Sequence, residues 1–194
     1  MKGLFIVRLR FNKRELEGEF NKWYSNIHLA DMIKVERMKA ARRFSSEVSD
    51  LKYLALYEFD SVEDMLKSRE SPERKAALSD FARWTVHIDK IERYWLELIE
   101  SESSGKIKDS EMLFLASSNS RDLEGVKSFR GVESKLVYKA ISTDPGGLPS
   151  NVVILHIPSH MRGEALRIID EISKREGVKY GLYSFISSLT RNSA

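Results

Sequence analysis

The chain of 194 residues contains no cysteine. That absence excludes disulfides, thiolate metal sites and thiol nucleophiles together, and it fits a reducing, cytoplasmic location. No stretch approaches the ~18 apolar residues of a membrane-spanning helix. The opening run Met-Lys-Gly-Leu-Phe-Ile-Val-Arg-Leu-Arg is short and broken by arginine. It also lacks a small-residue cleavage site, so no signal peptide is expected. Charge of one sign is nowhere massed: 32 basic and 29 acidic residues interleave to a net +3, which makes the electrostatic case for nucleic acid thin. The serines lack the context of a nucleophile elbow, so hydrolysis by a serine is not supported. What is present, 42% hydrophobic and 31% charged residues, describes an ordinary globular chain able to bury a sizeable core.

The order of expected elements repeats. Gly3 to Phe11 alternates Phe5, Val7, Leu9 and Phe11 on one face with Leu4, Ile6, Arg8 and Arg10 on the other, which predicts a strand. A helix is expected over about 13–33, strands over 38–44 and 51–59, and a helix start capped by Ser61. Ser71-Pro72 starts a further helix with serine at the cap and proline in the first turn, and 88–99 closes the half as a strand. The polar stretch Ser101-Glu-Ser-Ser-Gly-Lys106 reads as a linker. Strands are then expected over 112–116, 134–142, 151–157 and 178–186. A short helix or loop over 121–129 and a helix over about 160–175, capped by Ser159 and closed by Gly177, fall among them. The expected architecture is α+β, βαββαβ twice. A half with the first helix spans 1–100, a linker 101–110, and a degenerate second half 111–194. Each unit would form a ferredoxin-like antiparallel sheet with helices on one face. The open face, bearing Leu4, Ile6 and either the Tyr53/Tyr57 or the Leu54/Leu56 row, is too apolar for water, so the two sheets should pack face to face.

Phe20-Asn-Lys-Trp-Tyr-Ser-Asn-Ile-His28-Leu-Ala-Asp31 is the stretch richest in chemistry. Phe20, Trp23, Tyr24 and Ile27 follow the spacing of a core-facing helix, and Tyr24, His28 and Asp31 continue that face. An apolar floor with a titratable group at its edge is the arrangement of small-molecule pockets. Together with Met-Lys-Ala-Ala-Arg-Arg-Phe at 38–44 and Lys-Tyr-Leu-Ala-Leu-Tyr-Glu-Phe-Asp-Ser at 52–61, this segment resembles the dimeric α/β-barrel superfamily, and most its EthD-like branch. The resemblance covers residues 1–100; residues 110–194 match in element order alone. It implies two ferredoxin-like units closing one barrel. It also implies either a cofactor-free monooxygenase, isomerase or cyclase activity, or a binding role toward a small hydrophobic, aromatic or carbonyl-bearing molecule.

The candidate catalytic residues are His28 as acid/base or donor to a ligand oxygen, Asp31 as its orienter and Tyr24 as a second hydrogen-bonding group. Two readings of His28 stay open, since a helix-end or internally bonded structural histidine also fits. Trp23, Arg8 and Tyr57 are the candidate substrate-binding residues. Arg8 or Arg10 points into the barrel, where it must be paired or hold an anion, or lies at the strand end and reaches water. Arg42 and Arg43 point to opposite faces, so at most one can serve an interior site. No metal is expected, because Pro158 separates His156 from His160 and breaks any helix aligning them. No cofactor is expected either, haem included, although distant barrel relatives bind it.

The alternative function is a non-catalytic module binding RNA or a regulatory ligand, with three aromatics of the third strand as a stacking platform. Against it, the glycines of the RNA-recognition motif are missing. The segment Ser117-Ser-Asn-Ser-Arg-Asp122-Leu-Glu-Gly-Val-Lys replaces the aromatic-histidine helix in the second half. One ligand site is therefore expected, beside Trp23, Tyr24 and His28, with the second half as a wall. Because the second half supplies the partner that single-repeat relatives obtain from another chain, both a monomer and a homodimer are compatible with the sequence.

Overall fold

Alternation along the strands of the first half sends two apolar rows in opposite directions, and each finds its own partner. The computed structural model describes residues 2–103, 107–127 and 129–191. Its strands are β1 (Gly3–Phe11), β2 (Met38–Ser45), β3 (Tyr53–Phe59), β4 (Ile88–Ser103), β5 (Glu111–Ser117), β6 (Ser134–Asp144), β7 (Asn151–Ile157) and β8 (Lys179–Thr190). They close a barrel in the order β1-β3-β2-β8-β5-β7-β6-β4, every neighbouring pair antiparallel. The two four-stranded sheets meet at two seams, β2 with β8 and β4 with β6. The result is two tandem ferredoxin-like units joined as one dimeric-α/β-barrel-like structure within a single chain, without a free sheet edge. The seam also corrects the expected linker. β4 runs on to Ser103 because Glu102 and Ser103 pair with Lys135 and Ser134, while residues 104–106 lie outside the described residues.

The Leu54/Leu56 row, not the tyrosine row, faces inward with Leu4, Ile6, Tyr94 and Leu96, against Phe114, Ile154 and Tyr183 of the other half. Tyr53, Tyr57 and Phe59 face outward and are covered by helices. No residue of that aromatic row is exposed, so it offers no stacking platform for RNA, and the RNA reading loses its surface.

Arg8 goes inward with its row. Its cross-strand neighbour on β4 is Glu92, and the two side chains pair at 3.0 Å while both are almost wholly buried. Tyr183 Oη and the Tyr180 carbonyl accept further bonds from the guanidinium, and its plane lies 4.4 Å from the Phe114 ring. Arg10, two residues on, reaches water and bonds Asp89 and Asp50. One arginine therefore takes each of the two expected fates, and the interior one is fully occupied by protein.

The helical layer over the first sheet is α1 (Glu17–Trp23), a π-helical segment (Tyr24–His28), α2 (Leu29–Met32), α3 (Val62–Lys67) and α4 (Pro72–Thr85). Ser61 and Ser71 cap α3 and α4 by accepting from the Asp64 and Arg74 amides, as expected. Over the second sheet lie α5 (Glu124–Lys127) and α6 (Arg162–Ile172). Here Ser159 gives no side-chain cap. The last helix also stops at Ile172, so Gly177 serves a later turn with φ of +77°, a conformation glycine adopts without cost.

Replacing Arg8 with leucine leaves the buried Glu92 carboxylate only the Tyr94 hydroxyl at 3.1 Å and the partly exposed Lys179 ammonium at 3.6 Å. The expected cost is about 3 kcal/mol, read as a lower midpoint in urea. The Arg8→Leu/Glu92→Leu double variant should recover most of it, because the buried carboxylate is gone. A single variant as stable as the parent would contradict the pairing.

Candidate functional site

The expected long first helix is interrupted at its centre. Leu29 N–H donates to the Tyr24 carbonyl, five residues back, which makes Tyr24–His28 a π turn of the kind often found at functional sites. The wider turn advances each residue through a smaller angle. Ile27 therefore falls short of the core face and is 48% exposed, while His28 swings onto that face and is only 4% exposed. Sequence periodicity placed Ile27 inside because it assumes a uniform α pitch.

This turn forms one wall of a cavity of about 360 Å³ between the outer face of the first sheet and its helices. That volume lies in the lower part of the range of small-molecule sites. The floor is a cross-strand aromatic row. Phe5 is opposite Tyr57 on β3 and Trp95 on β4, with ring centroids 5.6 and 4.9 Å away. Tyr24, His28, Phe81 and Met32 form the roof, and Arg69, Arg74 and Arg93 also border the space.

Of the residues expected to act, Tyr24, His28 and Tyr57 meet here. The two tyrosine hydroxyls are 3.0 Å apart. Burial raises both phenols, Tyr57 well above the ordinary value, so both hydroxyls stay protonated. Arg43 lies with its guanidinium 4.4 Å from the Tyr24 ring and bonds Asn21 and Ser25, bracing the helix side of the site. The His28 imidazole packs 4.7 Å from Tyr24 and 5.5 Å from Phe81. Its Nδ1 is buried and has no hydrogen-bond partner among the described residues. Desolvation pushes its pKa down to about 4, against smaller upward effects of Asp31 and Asp80. It is a neutral base at ordinary pH.

Three of the expected site residues stand apart. The Asp31 carboxylate pairs with Lys34 at 2.7 Å and reaches His28 through its field alone, so orientation by a direct hydrogen bond is not what the geometry provides. Trp23 packs behind His28, tilted, with centroids 5.1 Å apart and donates its indole N–H to Asp80; it supports the wall without lining the cavity. Arg8 is on the opposite face of the sheet. The second half does not wall the cavity either, since every lining residue precedes Glu97; it adjoins at the β4–β6 seam, where Ser142 pairs with Trp95 and Asp144 with Arg93.

Sequence reading missed Arg69, Arg74 and Arg93. They lie on two helical segments and β4, and only the fold brings them together. The signal for Arg93 was its shared parity with Ile91 and Trp95 on β4. Beneath α5 and α6 the corresponding layer is aliphatic, built from Leu113, Leu115, Val153 and Ile169 among others. A space of about 250 Å³ beside those helices is bordered by no aromatic ring.

His28 and His156 are both held neutral by burial, the latter near 3. Their unfolded forms bind protons near 6.5, so their contribution to stability is present above that pH and is lost as pH falls through about 4. The His28 share is about 3 kcal/mol. Chemical unfolding from pH 7 to pH 4 should show it, and His28→Gln should flatten the dependence by one proton. An unchanged slope would contradict the buried neutral imidazole.

No family model matches the chain, and no curated protein matches it in sequence. Solved structures do match in shape. An anthrone oxidase-like protein superposes with a TM-score of 0.71 at 12% identity, over 99% of this chain and 94% of its own. A candidate monooxygenase from Lactobacillus acidophilus NCFM gives 0.58 at 12% identity over 97% and 96%. A chlorite dismutase variant from Candidatus Nitrospira defluvii gives 0.51 at 9% identity over 96% and 91%. Identity this low speaks for fold alone, and the fold shared along the whole chain is the dimeric α/β barrel.

Proposed function

We propose that the chain is an EthD-like protein that binds a small aromatic, carbonyl-bearing molecule in the cavity beside His28 and removes a proton from it without a cofactor. The observation that carries this reading is the buried, unpartnered Nδ1 of a neutral His28 at the edge of an aromatic-floored space. Buried polar atoms ordinarily have partners, and a base held neutral beside a cavity is suited to take a proton.

In this reading Tyr24, held as a phenol and joined to Tyr57, donates a hydrogen bond to the substrate carbonyl oxygen as it gains charge. His28 accepts the proton from the adjacent carbon or hydroxyl. Its low basicity in the empty field rises as negative charge develops next to it. Where the substrate is a doubly activated methylene, dioxygen can oxidise the carbanion, one oxygen atom ending in the new carbonyl and the other leaving as water. The anthrone oxidase-like neighbour and the EthD-like motif of residues 20–31 support this class of substrate by analogy of fold and sequence.

The test is turnover of polyketide-like and muconolactone-like compounds under air. His28→Ala is expected to lose about a hundredfold or more in rate, and Tyr24→Phe a smaller factor with the pH profile retained. Equal turnover by His28→Ala and the parent would remove His28 from the reaction.

A further inference from the structure

Three guanidiniums border the cavity, and none of its lining residues is a carboxylate. Arg93 is paired with Asp144. Arg69 and Arg74 form no ion pair among the described residues. Arg74 is 95% buried by virtue of its 5% exposure, and its one side-chain hydrogen bond there is to the Ser68 hydroxyl. Its guanidinium lies 4.4 Å from the Phe5 ring. Arg69 stacks 4.1 Å from the Trp95 ring, and its Nε and Nη2 are buried without a partner among the described residues. Trp95 Nε1 is likewise unpartnered.

Arg8, about as buried as Arg74, has Glu92 at 3.0 Å, which is how proteins ordinarily settle an internal cation. Arg69 and Arg74 instead repel each other across a space bordered by aromatic rings. Burial pulls the Arg74 pKa down to about 10, with Arg69 and Arg93 adding to the depression against the upward effects of Tyr57 and Glu70. A mutually repulsive pair is retained at a cost, and an anion between them would relieve it. Planar guanidiniums match the two oxygens of a carboxylate, and each here is pre-set by stacking on a ring.

We infer that the cavity selects an aromatic carboxylic acid, its rings over Phe5, Tyr57 and Trp95 and its carboxylate read by Arg69 and Arg74. The inference rests on the small-molecule reading above and adds the charge and the orientation of the ligand. The acid group at the arginine end sets the far end of the ring system toward Tyr24 and His28.

The test is calorimetric titration of the full chain with 2-naphthoate and with 2-naphthamide, of the same shape and no charge, at low and high salt. The naphthoate is expected to bind roughly tenfold tighter or better, with the advantage shrinking as salt rises. Arg69→Met should reduce the advantage to less than about twofold while leaving far-ultraviolet dichroism unchanged. Arg69 is chosen because it carries no ion pair; Arg74→Met, at a more buried position, serves as the second variant and should act in the same direction. Equal affinities for acid and amide in the parent chain would overturn the arginine assignment while leaving the cavity as a neutral aromatic site. A naphthoate preference intact in both variants would overturn it too. Failure of both compounds to bind would overturn the small-molecule reading and this inference with it.

Discussion

The structure depends on one constraint, the period of two along β1, β3 and β4. A strand with two apolar faces cannot leave either in water. Leu4, Ile6, Leu54 and Leu56 are satisfied by the opposite sheet, and Phe5, Tyr57, Phe59 and Trp95 by the helices. Closure of the barrel at the two seams hides the first row. Between the second row and the helices over it lies the cavity. Parity also sorts the charges: Arg8 and Glu92 share the interior face and neutralise each other, whereas Arg93, one residue beyond Glu92, is sent to the helix side.

Much of the fold was legible because the strands carry strict alternation and the helix starts carry side-chain caps. β1 and β7 begin and end where their patterns do, and Ser61 and Ser71 bond the amides that their positions predict. Two choices were not legible. Whether Tyr53/Tyr57 or Leu54/Leu56 faced the barrel turned on which layer could accept rings, a tertiary matter. The end of β4 depended on pairing with β6, and the polar composition of residues 101–103 gave no sign of a strand whose partner lies thirty residues on.

The site was legible in its centre and not at its margins. Tyr24, His28 and Tyr57 belong to one segment and one neighbouring strand, so local spacing nearly sufficed to join them. The π turn refined that spacing by exchanging Ile27 for His28 at the core face. The arginines come from Ser68–Glu70, α4 and β4, and charge patterning along the chain gave no reason to group them. Asp31 looked like an orienter by its distance along the helix, but Lys34 is nearer in space and takes its carboxylate. Hydrogen bonding is decided by side-chain direction as much as by residue interval. The two halves, alike in topology, differ in the chemistry of their outer layers, aromatic in one and aliphatic in the other.

On the proposed function, one ligand binds per chain, in the first half against His28. Anomalous diffraction from crystals soaked with a bromine-labelled naphthalene compound places a ligand directly. One bromine position per chain is expected, between the Phe5–Tyr57–Trp95 row and the Tyr24–His28 turn. Bromine inside the barrel beside Arg8, or beneath α5 and α6 alone, would contradict that expectation.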